Sequence, residues 1–415
     1  MVRKRVFLKT FGCRTNIYDS NIMLQNIKDF DIVDCEEDAD IIVVNSCTVT
    51  NGADSSARSY INSVNKMGKK VILAGCGAIS KGDELLKSDK IFGYFGHSEK
   101  SKINQLLKSD KKFAQKGDLS FVDSDVVEDF SSYTKAFIKI QEGCDFNCSY
   151  CIIPMVRGRA RSMDEKRILA QIEKLALNGY GEFVLSGTNL GSYGKDTNSS
   201  IAKLLKKISQ IKGVKRIRLG SLEPVQIDDE FKELLDESWI EKHLHIALQH
   251  TSEKMLRIMR RRNILKDDLN LFELIADKGF SLGTDFITGH PGESEQIWSE
   301  ALKNFKSFPI THLHAFTFSK RDHTHSATIK ETVAGDIAKE RLKILEEIVK
   351  NNNFKFRKDI KKPLLVLVEE SRGENQVGYD QFFNKVYIKS DLDLKKEWIS
   401  VEEFEVKMDA NYARL

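Results

Sequence analysis

Three cysteines fall within eight residues of this 415-residue chain, in Gly143-Cys144-Asp145-Phe146-Asn147-Cys148-Ser149-Tyr150-Cys151, at spacing C-x3-C-x2-C. Thiolates are soft ligands that select zinc, copper(I) or iron–sulfur clusters. A closed structural zinc site takes four ligands, and no fourth cysteine or close histidine completes this set. Three thiolates on a cubane iron–sulfur cluster would instead leave one iron free for a substrate or cofactor. Cys13, Cys47 and Cys76 form a second candidate set, each lying just beyond a short apolar run. If those runs are parallel strands, their carboxyl ends bring the three cysteines together, at the end where open α/β sheets bind ligands. Free cysteine is often simply core. Three in matching positions, two of them preceded by glycine, favour a second trithiolate cluster. Cys35, in the acidic Asp34-Cys35-Glu36-Glu37-Asp38, has no such context and reads as a bystander.

The elements that must position these residues follow from periodicity. Val6-Phe7-Leu8, Asp40-Ile41-Ile42-Val43-Val44-Asn45 and Lys70-Val71-Ile72-Leu73-Ala74 read as strands buried on both faces, with helices over 20–28 and 54–67 between them. A polar stretch, 116–132, reads as a linker. The opening motif then follows the strand Ala136-Phe137-Ile138-Lys139-Ile140, the first of six βα units whose later strands lie near 183–185, 216–219, 243–248, 283–287 and 312–316. Six such units predict a partial barrel of parallel strands, with the polar turns at the carboxyl ends forming the active face. A charged helix over 337–351 leads to a last block of short strands, 364–368, 383–388 and 404–408, which predicts a small β-barrel.

Composition narrows the class. Hydrophobic content of 41% and charged content of 30% are those of an ordinary globular chain. There is no membrane-length apolar run and no signal-peptide pattern at the start, so the expectation is a cytoplasmic protein without a membrane partner. Seven cysteines in so long a chain are no disulfide scaffold and point to metal or catalysis. The net charge of +4 permits an anionic partner without demanding one. Local basic clusters say more. Arg257, Arg260, Arg261 and Arg262 form the densest run, and Lys385 and Lys389 interleave with Tyr379, Phe382, Phe383 and Tyr387. Phosphate contacts dominate RNA affinity, and aromatics near a basic surface stack unpaired bases. His243, His245 and His250 read as packing rather than as metal ligands.

Cys144, Cys148 and Cys151 resemble the cluster motif of radical S-adenosylmethionine enzymes. With Cys151-Ile152-Ile153-Pro154, Arg157-Gly158 and Arg161-Ser162 the stretch is similar to the methylthiotransferases in particular. Gly12-Cys13-Arg14-Thr15-Asn16, Asn45-Ser46-Cys47-Thr48-Val49-Thr50 and Gly75-Cys76 resemble that family's three-cysteine N-terminal domain, and the last block resembles a TRAM RNA-binding module. The resemblance covers nearly the whole chain in the family's order. It implies an α/β protein of three parts: a Rossmann-like parallel-sheet domain (1–115), a radical SAM partial (β/α)6 barrel (133–360) after the linker, and a small all-β TRAM barrel (361–415).

It also implies two [4Fe–4S] clusters, on Cys144, Cys148 and Cys151 and on Cys13, Cys47 and Cys76. S-adenosylmethionine sits at the open iron of the first and is cleaved to a radical that takes a hydrogen from C2 of a modified adenosine in tRNA. The second cluster delivers sulfur, and a second S-adenosylmethionine the methyl group. The partners implied are tRNA, a flavodoxin- or ferredoxin-type electron donor and an unidentified sulfur source. Three substrate groups compete within the family: threonylcarbamoyladenosine and isopentenyladenosine beside the anticodon, and a ribosomal-protein aspartate. Asp145, Cys47-Thr48-Val49-Thr50 and Leu185-Ser186-Gly187-Thr188-Asn189-Leu190-Gly191-Ser192-Tyr193-Gly194 resemble the first group. A non-catalytic zinc-ribbon RNA-binding protein stands as the reading from another class.

Candidate cofactor contacts are Ser186, Gly187 and Thr188 at one strand end, Glu223 and Gln249 at two others, and Asp285 inside an apolar strand, where an unpaired carboxylate is costly. Among Arg157, Arg159 and Arg161, whose forks suit carboxylate or phosphate, Arg161 is the candidate cofactor contact. The chain departs from the family pattern at His250, at His290 where Phe is usual, and at Phe318 where Tyr is usual. These departures bear on substrate contacts rather than on cluster chemistry.

Overall fold

A computed structural model describes residues 3–130 and 133–415. The N-terminal part is a six-stranded, all-parallel sheet in the spatial order Asp31–Ile32, Arg5–Thr10, Ile41–Ser46, Lys70–Gly75, Gly93–Phe95, Phe113–Gln115. The β-branched run Ile41-Ile42-Val43-Val44 is fully buried between helices on both faces, as a central parallel strand must be. Three strands absent from the sequence expectation, Asp31–Ile32, Gly93–Phe95 and Phe113–Gln115, are two or three residues long, too short for any period to register. The three central strands end just before Cys13, Cys47 and Cys76, and two helices begin on these cysteines: Cys13 is the N-cap of Arg14–Asn26 and Cys76 opens Cys76–Lys87.

The central part has the six expected strands, Ala136–Lys139, Glu182–Ser186, Arg216–Leu219, His243–His245, Ser281–Thr288 and His312–Thr317. They form two parallel three-stranded sheets joined through the bridges Ile217–Ile240 and Leu222–Ile246. The first and last strands do not pair, so the barrel is partial. The stretch 116–132 is not a solvated linker. Among its described residues Val127 and Phe130 are buried in the barrel core, and Gln25 and Gln171 donate to the carbonyls of Val126 and Val127 at 2.7 and 2.9 Å. It is a strap that ties the first sheet to the barrel. Ser131 and Ser132 lie outside the described residues.

The C-terminal part is a curled six-stranded mixed sheet, order Trp398–Val401, Leu364–Arg372, Asn375–Tyr379, Lys385–Lys389, Asn411–Arg414, Glu405–Val406. It is a half-barrel with two free edges rather than a closed one, built on Leu364, Val366, Val368, Val386, Ile388 and Val401. It docks at the amino ends of the barrel strands, opposite the cysteines. Arg216, first residue of its strand, donates to the Leu365 carbonyl at 3.0 Å, and Ser281, first of another, to the Phe382 carbonyl at 2.7 Å.

Phe383 fills the lower mouth. Its ring centroid lies 5.2 Å from His243, 5.9 Å from His312 and 5.2 Å from Tyr379, with the Arg218 guanidinium 4.5 Å away. To place the ring there its backbone takes φ +63°, a conformation costly for a bulky residue and held by the packing around it. Alanine at Phe383 keeps that backbone cost and loses the ring contacts. The half-buried site makes the expected loss about 2 kcal/mol, read as a lower denaturation midpoint with cluster content unchanged. Among the described residues no helix is long and apolar enough to cross a membrane.

Candidate active site at two cysteine trios

The first trio lies on the loop leaving the short strand Gln141–Glu142. Gly143 has φ +75°, and a Cβ there would stand 1.8 Å from the Arg159 carbonyl oxygen, so the loop can turn only on glycine. The Cys144 sulfur accepts from the Phe146 amide at 3.4 Å and from Asn189 Nδ2 at 3.2 Å, and the Cys148 sulfur from Arg261 Nη1 at 3.7 Å. Thr188 Oγ1 donates to the Gly143 carbonyl at 2.7 Å, and the Asn189 amide to Gln141 Oε1 at 2.8 Å. A side chain at Gly187 would meet Gln141 at 2.9 Å. This turn therefore clamps the cysteine loop from below. Ser186 points away from it, its hydroxyl buried against the Ile138 carbonyl at 3.5 Å.

Glu223 and Arg261, assigned from sequence to cofactor and RNA respectively, bind each other. Arg261 Nη1 donates to Glu223 Oε1 at 2.9 Å, Nη2 to Oε2, and Nη2 also to the Ala247 carbonyl at 2.6 Å. The Arg261 side chain is 2% exposed, which corrects its placement on an RNA surface. Its charge is instead directed at the Cys148 sulfur. Arg161 is corrected likewise: Nε donates to the Phe121 carbonyl at 2.5 Å and Nη1 to the Arg157 and Arg159 carbonyls at 2.7 and 3.0 Å, fastening the strap rather than a cofactor.

In the second trio Cys47 and Cys76 are buried and Cys13 is exposed. Gly12, at φ +109°, lets the Cys13 loop approach; a Cβ there would stand 2.3 Å from the Cys47 Cβ. Arg157 reaches across from the helix that follows the first trio and donates its Nε to the Cys76 sulfur at 3.1 Å. Cys76 also packs against Ile152 and Val156, so the two trios share a wall. Burial, then the neighbouring Cys76 and Cys13, push the Cys47 thiol up to about 12; burial, then Cys148, do the same for Cys151. Such thiols ionise when a metal takes the proton's place.

The geometry separates a cluster from a single ion. Among the described residues the only group of three or more metal-type side chains with donor atoms within 4.8 Å of one another contains no cysteine. Neither trio is gathered round one tetrahedral zinc, which argues against the zinc-ribbon reading. A cubane takes each thiolate on a different iron and needs the wider spread. The amide, carboxamide and guanidinium donors aimed at the sulfurs are those that tune such clusters. Both trios fit the group.

Beneath the second trio lies a buried charge network that joins the first sheet, the strap and the barrel. Asp19, Asp123 and Glu142 face Lys100, Lys139, Arg157 and Arg161, none more than a tenth exposed. Burial pushes the His97 imidazole down to about 4, so it is neutral. Four cations against three carboxylates leave one buried positive charge over, and Arg157 points it at Cys76. A trithiolate cluster carries the balancing negative charge. Asp19, Lys139 and Glu142 were missed from sequence. The available signal was Lys139, a charge inside an otherwise apolar strand.

The remaining candidates are more dispersed. Gln249, four residues beyond the strand His243–His245, takes a strained φ of +66° and forms an isolated parallel bridge with Phe286. Asp285 lies between His245 and His314, at 3.2 and 3.6 Å. The Arg257 side chain is 75% exposed, Arg260 is exposed, and the exposed Arg262 stacks over Phe146 of the cysteine loop at 4.5 Å. Lys385 lies 5.8 Å from the Tyr387 ring, and Lys389 pairs with Glu374 at 2.9 Å. Arg159 is exposed and meets Asp145 at 3.4 Å.

Two of the three departures from the family pattern touch each other. The His290 and Phe318 rings lie 5.0 Å apart at 69°, and His290 also meets Tyr150 edge-on. His290 Nδ1 donates to the Pro291 carbonyl, and Nε2 faces Ser326 Oγ, which lies 2.8 Å from Ser149 Oγ next to Cys148. Beside Phe318 opens a cavity of about 320 Å³, lined also by Asn51, Lys320, Thr332 and Lys339. His250 is buried, faces Glu293 at 3.3 Å and has a structural role.

Residues 138–304 match the Radical SAM superfamily, and residues 5–96 match a family described as Uncharacterized protein family UPF0004. A Helicobacter pylori (strain J99) protein named putative methylthiotransferase is 50% identical, covering 99% of each chain. An Aquifex aeolicus protein named threonylcarbamoyladenosine tRNA methylthiotransferase MtaB is 31% identical over 95% of this chain and 97% of its own. A Fervidobacterium nodosum protein named tRNA-2-methylthio-N(6)-dimethylallyladenosine synthase is 30% identical over 90% of each. Of solved structures, the radical S-adenosylmethionine methyltransferase TsrM from Kitasatospora setae shares the fold, with a TM-score of 0.60 over 79% of this chain and 77% of its own at 14% identity.

Proposed function

The chain belongs to the radical SAM methylthiotransferases, and from that premise we propose that it methylthiolates C2 of N6-threonylcarbamoyladenosine next to the anticodon of tRNA. As a member of that family it uses S-adenosylmethionine and two [4Fe–4S] clusters. When bound, the cluster on Cys144, Cys148 and Cys151 supplies the electron that cleaves S-adenosylmethionine, and the one on Cys13, Cys47 and Cys76 the sulfur. The chain's own residues hold these groups in place. Asn189 and the Arg261–Glu223 pair fix the first loop, and Arg157 fixes Cys76 relative to it.

The observation that carries the substrate is the end-to-end match to the Aquifex aeolicus relative named for threonylcarbamoyladenosine, through the C-terminal sheet as well as the barrel. Asp145, paired with Arg159 at the rim of the cysteine loop, agrees with that group. Arg257, Arg260 and Arg262 offer phosphate contacts beside the cysteine loop. Lys385 and Lys389 lie on the sheet at the opposite end of the barrel, so an RNA touching both sets runs along the barrel wall. The electron donor is a flavodoxin- or ferredoxin-type protein, which the exposed basic run suits electrostatically.

The test is a side-by-side assay of the reconstituted enzyme on tRNA carrying threonylcarbamoyladenosine, tRNA carrying isopentenyladenosine, and the ribosomal protein. Nucleoside and peptide mass spectrometry is expected to find the methylthio group on the first alone. Product only on isopentenyladenosine or on the protein aspartate would reverse the assignment.

A further inference from the structure

His245, Asp285 and His314 come from three adjacent parallel strands, His243–His245, Ser281–Thr288 and His312–Thr317. The register sets His245 opposite Gly283 and Asp285 opposite His314. Side chains alternate along a strand, so Gly283 and Asp285 share one face. The bare glycine makes room for the imidazole, since a Cβ there would stand 2.7 Å from His245 Nδ1. Each residue contributes one donor atom, and the three donors lie within 4.8 Å of one another, as no other such group does among the described residues.

Both imidazoles face the Asp285 carboxylate at ion-pair distance, yet neither contact has the length and alignment of a strong hydrogen bond. His245 Nε2 is buried and makes no hydrogen bond, although Asp285 Oδ1 is only 3.2 Å away, because the two are not aligned for one. His314 Nδ1 stands 3.6 Å from the same oxygen, beyond hydrogen-bond length. Bonds of about 2.0–2.2 Å to one ion place neighbouring donors about 3 Å apart or slightly more, close to the 3.2 and 3.6 Å from Asp285 to the two imidazoles.

We propose that His245, Asp285 and His314 form a mononuclear site for a divalent first-row transition-metal ion, separate from both cysteine trios. Two imidazoles and one carboxylate suit iron(II), zinc or manganese, whereas magnesium and calcium prefer all-oxygen sites. Three protein ligands leave coordination positions open, for water or for oxygen donors of a bound molecule. The His314 side chain is 73% exposed, so the ion and its exchangeable ligands have access to solvent. Arg14, whose charge reaches His314, opposes a cation there. The site is empty here. Its existence does not depend on which adenosine is the substrate.

The probe is Mn²⁺, titrated into the full-length, cluster-loaded enzyme with both clusters in their diamagnetic oxidised state. Binding removes the free-ion EPR signal. One equivalent is expected to disappear in the wild type, and affinity is expected to fall at least about tenfold in Asp285→Asn and in His314→Ala. Zn²⁺, which nitrogen and oxygen sites favour over Mn²⁺, is expected to release the bound ion. Iron content and visible absorbance equal to wild type establish that each variant is folded. An undiminished free-ion signal in the wild type, identical titrations in wild type and both variants, or no displacement by Zn²⁺ would each overturn the proposal.

Discussion

Alanine at Cys13, Cys47 and Cys76 together halves the iron of the reconstituted enzyme, from about eight to about four per chain, and leaves reductive cleavage of S-adenosylmethionine in place while ending methylthiolation. Alanine at Cys144, Cys148 and Cys151 also halves the iron but ends cleavage as well. The asymmetry follows from where the trios sit. Cys13, Cys47 and Cys76 hang from the carboxyl ends of a parallel sheet with its own core, and Cys144, Cys148 and Cys151 from a loop clamped by Thr188, Asn189 and Arg261 on the barrel. Each trio has its own hydrogen-bond donors to sulfur, so a cluster lost from one is not expected to dismantle the other. The shared wall of Cys76, Ile152 and Val156 loses only a small sulfur when Cys76 becomes alanine. Iron assay, 5′-deoxyadenosine formation and nucleoside mass spectrometry read the outcomes. Loss of cleavage in the Cys13, Cys47, Cys76 variant would mean that the two sites are one cooperative unit.

Arg157→Met is expected to cost about 3–5 kcal/mol, the range for removing one member of a buried ionic cluster. The guanidinium is 1% exposed and donates to Asp19 at 2.8 Å, Asn16 at 2.7 Å, the Cys76 sulfur at 3.1 Å and Glu142. Methionine fills much of the volume and leaves these acceptors underserved. Hydrogen bonds to cluster sulfurs help set reduction potential, so the cluster on Cys13, Cys47 and Cys76 is also expected to become harder to reduce, by potentiometric EPR. Arg157→Lys restores the charge without the fork and falls between the two.

The stability penalty depends on pH with a definite sign. Burial by itself raises the Asp19 carboxyl, but Lys100, Lys139 and Arg157 outweigh it and hold it well below the usual carboxylate range. A depressed carboxyl contributes stability above its unfolded pKa and loses it as pH falls through its folded one. The gap between wild type and Arg157→Met is therefore largest at neutral pH and narrows only in strong acid. A gap that widens on acidification would contradict the role given to Asp19.

What the sequence disclosed, and what it did not, follows physical scale. The central strands were legible, and the cysteines that follow them stood out as candidates, because long β-branched runs stop just before them, as in Ile41-Ile42-Val43-Val44 before Cys47. Edge strands of two or three residues leave no periodic trace. The strap was misread because, among its described residues, only two apolar ones, Val127 and Phe130, and the ion-paired Asp123 are buried in a stretch otherwise rich in Asp and Ser. Arg161 and Arg261 looked like ligand arginines because a fork that suits a cofactor carboxylate or an RNA phosphate suits equally the backbone carbonyls that hold Arg161 and the Glu223 carboxylate that holds Arg261. His290 and Phe318 read as separate departures, and only their contact shows that they form one rearranged pair. His314 carried no signal at all, since its role depends on the register of two other strands.

Phe383 sets a limit on how freely this architecture can be recombined. The C-terminal sheet looks like an interchangeable module, yet it supplies the stopper for a barrel whose lower rim, Arg218, His243 and His312, is shaped to receive it. A chimera that borrows this sheet from a relative inherits that fit only if stopper and rim are exchanged together. Without both, the graft leaves the lower mouth unfilled, and the fault is expected to surface as uncoupled S-adenosylmethionine turnover rather than as failed RNA binding.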